Sequence, residues 1–235
     1  MQCKYILFDG INPYKNLAIE QDLMKYAKKG LYILFLWQND NTIVIGRNQD
    51  IYRECKVKEF LEYNGYIARR RSGGGAVYHD LGNLNYSIIS TDLDAEKVQY
   101  YNILPYVMKN LNIEIQYNNR NDFTFREKKF SGNATYVDNN IVCQHGTLLV
   151  STNIERMSEF LTPEESKLAR NHVKSINSRV INLNEINKDI TIDLIKKTFI
   201  ETVNASLLKY DPENESVKTL EKFYSSKDWI FGGER

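Results

Sequence analysis

The chain has 235 residues, 42% of them hydrophobic and 26% charged, enough for one sizeable core. Its formal net charge of +1 lacks the basic excess of a non-specific nucleic-acid or membrane-surface binder. Cys3, Cys55 and Cys143 are odd in number, widely spaced and without a CxxC pair, which argues against a disulfide framework or a zinc site. Met1–Asp9 is too short in apolar length for a signal peptide, and no run reaches membrane-span length. The expectation is a reduced, cytoplasmic protein that binds neither nucleic acid nor membrane.

In chain order, Lys4–Phe8 reads as a first strand. Asn12-Pro13 starts a helix, with Asn as N-cap and Pro at the first helical position. Tyr14, Leu17, Ala18 and Gln21 to Met24 give its stripe, and Gly30 ends it. Leu31–Trp37 and Thr42–Ile45 read as two strands of a hairpin around the polar turn Asn39–Asn41, closed by Gly46-Arg47. Val57–Asn64 predicts a helix ending at Gly65, and Tyr66–Arg70 a strand. Alternation of Leu84, Tyr86 and Ile88 predicts a half-buried strand. A helix follows over Ala95–Leu111, with Pro105 as a kink site. Ile113–Tyr117, Asp122–Phe125, Phe130–Val137 and Ile141–Leu149 read as strands. Asn153–Phe160, Pro163–Arg170, Ile190–Leu208 and Ser216–Tyr224 read as helices. Hairpin-joined strands with interspersed helices predict an α/β (α+β) domain on a mixed, largely antiparallel sheet flanked by helices.

The chemistry concentrates in Ala68–Ser90, where Arg69, Arg70 and Arg71 run into Gly73, Gly74 and Gly75. Glycines let a backbone approach a ligand closely, and arginine forks match phosphate and carboxylate. The loop lacks the lysine-serine ending of a P-loop and the spacing of a dinucleotide fingerprint. The bland alternative is a tight turn in which the glycines serve geometry only. Lys129 beside Ser131-Gly132 could reach a phosphate, and Lys128 next door could be merely solvated. His145 before Gly146 could be a core or turn histidine. Arg120-Asn121-Asp122 suits magnesium, an exocyclic amine or an Asx turn.

The order and combination of these motifs resemble the lipoate–protein ligase family, in the superfamily that also holds biotin protein ligases. Leu34-Phe35-Leu36-Trp37 with Val44-Ile45-Gly46-Arg47-Asn48-Gln49 resembles the family's first hairpin. Arg70-x-Ser72-Gly73-Gly74-Gly75-Ala76-Val77-Tyr78-His79-Asp80-x-Gly82-Asn83 resembles its principal signature. Arg120-Asn121-Asp122, Lys129-x-Ser131-Gly132-x-Ala134, His145-Gly146-Thr147-Leu148 and Ser175-x-x-Ser178-Arg179-Val180-x-Asn182-Leu183 follow in the family's order.

The resemblance implies a ligase catalytic domain over residues 1–235. It would activate lipoate with ATP and magnesium to lipoyl-AMP, then lipoylate a lysine of an acceptor domain. The implied partners are the E2 subunits of 2-oxoacid dehydrogenases and the glycine-cleavage H protein. It implies that Lys129 sits between carboxylate and α-phosphate and that Arg70 clamps anionic oxygens. Gly73, Gly74, Gly75, Ala76, Val77 and Tyr78 would present backbone to the adenylate, with His79 and Asn83 near phosphate or ribose. Asn121, Asp122, His145 and Gly146 complete the nucleotide site, Asp122 holding the adenine amino group or magnesium. Trp37, Arg47, Gly74 and Lys129 would border the lipoyl pocket, although a buried strand tryptophan is as often core. Of the arginine triplet, Arg69 and Arg71 are expected to be solvated.

Two rivals are an acyl transferase and a non-catalytic adenylate-binding protein. A covalent acyl transferase needs a cysteine, expected near Asn118–Asp122, where this chain has none. Cys143 reads instead as an inert core thiol. Retention of Lys129 and the glycines speaks against a decayed site. Trp229-Ile230-Phe231-Gly232 resembles the segment that precedes a small accessory domain in fuller family members. The expectation is that this domain is absent from residues 1–235, either because the sequence is a catalytic domain cut from a longer protein or because the protein is naturally short; in the second case the domain would come from a separate chain, and adenylation would be impaired in this chain alone while transfer from preformed lipoyl-AMP survives.

Overall fold

A computed structural model describes residues 1–118, 121–162 and 180–232. The expected helix Pro163–Arg170, together with Arg120, Ser175, Ser178 and Arg179, lies outside the described residues.

Eight strands form the main sheet in the order β11-β1-β2-β6-β10-β9-β8-β7. They are β1 (Gln2–Leu7), β2 (Leu31–Trp37), β6 (Asn83–Thr91), β7 (Gln116–Tyr117), β8 (Asp122–Phe125), β9 (Lys128–Asp138), β10 (Ile141–Leu149) and β11 (Ser206–Leu207). A separate sheet has the order β4-β3-β5, from β3 (Thr42–Ile45), β4 (Tyr66–Arg69) and β5 (Val77–His79). β1 is parallel to β2 and to β11, and β3 is parallel to β4; the other pairings are antiparallel. The mixed, mainly antiparallel class is as expected.

Helix α1 (Pro13–Leu23) begins as the sequence predicts, with the Asn12 side chain accepting from the backbone N–H groups of Tyr14 and Lys15. It packs on one face of the main sheet with α9 (Glu215–Tyr224), and Leu17, Ile19, Phe35, Trp37, Ile89 and Tyr224 form that core. The opposite face carries α5 (Tyr100–Asn110) and α8 (Ile192–Thr202), with Leu34, Leu36, Tyr86, Ile88, Leu104 and Phe199 between. The small sheet has its own core against α2 (Ile51–Glu54), α3 (Val57–Glu62) and α6 (Ile154–Phe160). The short helices α4 (Asp92–Ala95) and α7 (Leu183–Ile186) flank the main sheet.

The expected hairpin of Leu31–Trp37 with Thr42–Ile45 does not form. β2 is buried along its whole length and lies between β1 and β6, whereas β3 is the centre of the small sheet. A strand apolar on both faces belongs inside a large sheet covered on both sides. The chain crosses from one sheet to the other at Gln38–Asn41, where Asn41 takes a φ of 40°. The half-buried reading of β6 also fails, because Asn83 to Ser90 are all buried. Leu84, Tyr86 and Ile88 face one core, while Asn85 and Ser87 face inward on the other side.

Three helix expectations need trimming. Ala95–Leu111 is interrupted at Glu96–Gln99, so that α5 starts at Tyr100 and runs on through Pro105. α1 stops well before Gly30. The segment expected as helix over Ile190–Leu208 stops at Thr202; Asn204 has a φ of 47° and the chain then pairs with β1. An asparagine in the left-handed region ends a helix at small cost.

Candidate active site

A cavity of about 680 Å³ opens where the two sheets meet, a size suited to a small-molecule substrate. Of the residues singled out from the sequence, Trp37, Arg70, Gly74, Gly75, Ala76, Val77, His79, Asn121, Asp122, Lys129, His145 and Gly146 line it. Gly73, Tyr78, Asn83 and Arg47 do not. Tyr78 points the other way along β5, into the small sheet's core against Phe60. Asn83 stands behind the wall and donates from Nδ2 to Asn85 Oδ1 at 3.1 Å. Arg47 sits exposed in the turn after β3, where its N–H donates to the Ser72 carbonyl.

The arginine triplet divides differently from the expectation. Arg69 is 2% exposed. Its guanidinium donates to the carbonyls of Trp229, Ile230, Gly46, Arg47 and Gln49 at 2.8 to 3.1 Å, and Trp229 Nε1 donates back to the Arg69 carbonyl. Arg71 donates to Gln21 Oε1 and stacks over Phe223 and Trp229. Neither is simply solvated: Arg69, at the end of β4, meets turn carbonyls that need donors, and half-buried Arg71 lies against Gln21, Phe223 and Trp229.

Arg70 turns into the cavity wall. Its Nη2 donates to the carbonyls of Gly73 (2.7 Å) and Gly75 (2.8 Å), Nη1 to Val44 and Nε to Ser72 Oγ. Burial pulls it down to about 10, so it stays charged at neutral pH. The fork thus shapes the glycine loop while its charge faces the cavity.

Only Gly74 in the loop needs glycine for its own backbone, with a φ of 92°. A Cβ on Gly73 or Gly75 would meet nothing within 4 Å. The purely geometric reading therefore leaves Gly75, which lines the cavity, unexplained; its missing side chain keeps space open. Gly75→Val is expected to keep its melting temperature within a few degrees and to lose ligand affinity at least tenfold, measured by calorimetry. Unchanged affinity would show that the loop does not hold the ligand. Gly46 has the opposite requirement, since a Cβ there would sit 2.1 Å from the Gly74 carbonyl oxygen.

Across the cavity, Lys129 Nζ pairs with Asp122 Oδ1 at 2.7 Å. A β-bulge between Phe123 and Thr124 shifts the β8–β9 register just there, placing Asp122 opposite Gly132 and Thr124 opposite Lys129. Asn121, at a φ of 61°, is held by Tyr100 and Tyr117, whose hydroxyls donate to its Oδ1 at 3.0 and 2.9 Å. Gly146 permits the Tyr86 hydroxyl to donate to Asn133 Oδ1, because a Cβ at 146 would lie 2.1 Å from that oxygen. Asp122 and Glu127 both face the cavity, a sparse carboxylate set of the kind magnesium uses when phosphates supply further oxygens.

Beneath the loop runs a buried polar chain that the sequence reading missed. Ser72 Oγ and His145 Nε2 are 2.6 Å apart, and His145 Nδ1 lies 2.9 Å from Glu20 Oε1. The Ser87 hydroxyl donates to the same carboxylate oxygen and accepts from Trp37 Nε1 at 3.0 Å. Burial pushes the Glu20 carboxyl up, but His145 and Ser87 outweigh it and hold the group below the usual range. The signal was present: Glu20 has the apolar Leu17 and Leu23 three residues to either side on the same helix face, which is an unusual place for a charge. Among the described residues, Glu20, Cys143 and His145 are near enough together to hold a metal ion, yet both His145 nitrogens are already engaged. Cys143 is fully buried with its thiol pushed well up, as expected of an inert core thiol.

His79 is pulled down to about 3, first by burial and then by the charges of Arg70 and His145. Its folded value lies below the ordinary 6.5, so the unfolded chain takes up this proton first. The contribution to stability is intact above pH 6.5 and is lost as the pH falls toward 3. Replacing His79 with asparagine should flatten that part of the pH–stability curve, read by urea unfolding at stepped pH. An unchanged slope would exclude His79 as its source.

A family model described as the lipoyl protein ligase A/B catalytic domain matches residues 12–204. The chain is 38% identical to lipoate-protein ligase A of Psychrobacter cryohalolentis over 81% of its own length and 56% of the relative's. It is 35% identical to lipoate-protein ligase A of Blochmanniella floridana, over 93% of this chain and 68% of that one. Among solved structures, LipL1 of P. falciparum in complex with lipoate superposes with a TM-score of 0.83 at 30% identity, covering 99% of this chain and 75% of that chain. The chain thus spans little more than half the length of the first of these relatives.

Proposed function

The chain belongs to the lipoyl protein ligase A/B catalytic-domain family, and on that premise we propose that it activates lipoate with ATP and passes the lipoyl group to a lysine of an acceptor domain. The observation that carries the proposal is the placement of Lys129, ion-paired to Asp122, across one cavity from the glycine loop. A carboxylate and a triphosphate repel each other in water. A fixed cation between them lowers the barrier by stabilising the charge that develops, and holding both reactants adds a proximity gain.

In the first step a lipoate carboxylate oxygen bonds to the α-phosphorus as the bond to the bridging oxygen breaks and pyrophosphate leaves. In the second, a deprotonated lysine amine bonds to the acyl carbon, the acyl–phosphate bond breaks and AMP leaves. Lys129 stays non-covalent in both. Asp122 orients the Lys129 ammonium; with Glu127 it would hold magnesium, which supplies charge neutralisation on the phosphates. Trp37, Leu17 and Val44 give the apolar wall for the acyl chain. The loop around Gly74 and Gly75 and the outer edge of β5 receive the nucleotide. The acceptors are lipoyl domains of E2 subunits and the H protein.

Incubating the protein with lipoate, MgATP and an apo lipoyl domain, then reading intact mass, tests this directly. The lipoyl adduct on the acceptor is expected, from preformed lipoyl-AMP alone if adenylation needs a separate accessory domain. If no adduct forms with ATP and none forms with preformed lipoyl-AMP, the assignment is wrong.

A further inference from the structure

We propose that Trp229, which lies outside the cavity, is a positioning residue for nucleotide binding: it pins the peptide from which Arg70 enters the cavity wall, an inference that rests on the ligase reading.

The peptide between Arg69 and Arg70 is held at both of its polar groups. Its carbonyl, on Arg69, accepts from Trp229 Nε1 at 2.8 Å. Its N–H, on Arg70, donates to the Ile45 carbonyl at 3.0 Å. A peptide unit is planar and stiff. Bonds at its two polar ends therefore fix its plane, and with it the direction in which the Arg70 side chain leaves the backbone. The Ile45 bond continues the pairing of β3 with β4. The Trp229 bond has no such origin, because it comes from a segment 160 residues along the chain. Arg70 passes this placement on, since its Nη2 donates to the Gly73 and Gly75 carbonyls of the glycine loop.

The indole is itself held in place. It is 8% exposed, with its centroid 4.6 Å from the Phe223 ring and 6.2 Å from the Tyr224 ring. The Tyr224 hydroxyl donates to Gln21 Oε1 on α1 at 2.9 Å. Trp229 thus belongs to the core on the α1 face of the main sheet, whereas Ile230, the next residue, belongs to the core of the small sheet. The helical turn Asp228–Gly232 joins the two halves of the site from behind. Arg69 strengthens the join by donating to the carbonyls of Trp229 and Ile230. None of Arg69, Trp229 and Ile230 lines the cavity.

A bidentate contact to phosphate depends on the aim of the guanidinium fork. A misplacement of about 1 Å, caused by a change far from the chemistry, can cost as much as ~100-fold. A buried tryptophan that served packing alone would still need an acceptor for its N–H. The two roles separate by experiment. Trp229→Phe keeps an aromatic ring in the core and removes the N–H. Val217→Ala truncates a side chain of α9 in the same core, away from the path to Arg70. MgATP and lipoyl-AMP are titrated separately by calorimetry into the native protein and each folded variant. Trp229→Phe should weaken at least one of them roughly 3- to 30-fold, between the worth of one hydrogen bond and a misaimed contact. Val217→Ala should lower the melting temperature and leave both affinities unchanged. Adding Arg70→Lys, which removes the fork, to Trp229→Phe should cost less than the two single losses combined, because one residue acts through the other. In the native protein labelled with 5-fluorotryptophan, the two tryptophans give two ¹⁹F resonances, assigned by the one that remains in Trp37→Phe. The Trp229 resonance should shift when the ligand that weakened is added. Native affinity of Trp229→Phe for both ligands, equal weakening by Val217→Ala, fully additive losses, or a Trp229 resonance that does not respond would each overturn the proposal. If the native protein binds neither ligand, the ligase reading itself fails and takes the proposal with it.

Discussion

Replacing Lys129 with methionine should lower lipoate-dependent ATP–pyrophosphate exchange by on the order of 10²–10³, the cost of losing one preorganised charge-stabilising group. The side chain is 41% exposed and its ion pair to Asp122 is partly exposed, so its contribution to stability is small. The melting temperature should therefore stay near the native value, and the loss would be one of rate and not of fold. Methionine retains the length and apolar stem of the lysine but not the charge. Transfer from preformed lipoyl-AMP should also fall, because in the proposed mechanism the same ammonium would face the acyl carbonyl and the departing phosphate. An exchange rate within threefold of native would remove Lys129 from the chemistry and leave the cavity as a binding site only.

Arg69→Met should act in the opposite way, on the fold before the chemistry. It strips donors from the carbonyls of Gly46, Arg47, Gln49, Trp229 and Ile230, inside a region where Arg69 itself is 2% exposed. Each buried polar group left without a partner costs about 1–3 kcal/mol, reduced where the turns relax toward water. A net loss on the order of 3 kcal/mol or more follows, which is ~10 °C in melting temperature for a chain of this size. Arg71→Met, which loses one hydrogen bond and a stack, should cost far less. Equal thermal shifts for the two variants would mean that the arginines are not differentiated as described.

The sequence alone made the site's polar inventory legible, because glycines, a lysine and an acid in fixed order are local features. It hid what depends on partners far along the chain. Nothing local distinguishes Arg69, which ends β4, from Arg70, which follows it; successive side chains simply point to opposite sides, one to the turn at Trp229–Ile230 and the other to the cavity. Alternation along β6 was read as one face to core and one to water. Asn85 and Ser87 are polar because they face the site and Glu20, so the period was right and the environment wrong. The β2–β3 turn carried ordinary hairpin signals, and only tertiary pairing sends the two strands to different sheets. Glu20 went unnoticed because its partners, His145 and Ser87, come from distant strands.

The cavity lies between two sheets that share no strand pairing. Its floor and roof are thus joined by side chains and by chain crossings that include Gln38–Asn41 and Asp80–Gly82, and separating them would break no ladder hydrogen bond between the two sheets. Backbone amides of the small sheet and of the main sheet should accordingly open as different cooperative units, with the small sheet's three short strands expected to be the less protected against exchange with solvent. A substrate that bridges both would draw its slowest-exchanging amides from both sides and couple two units that the backbone itself leaves independent.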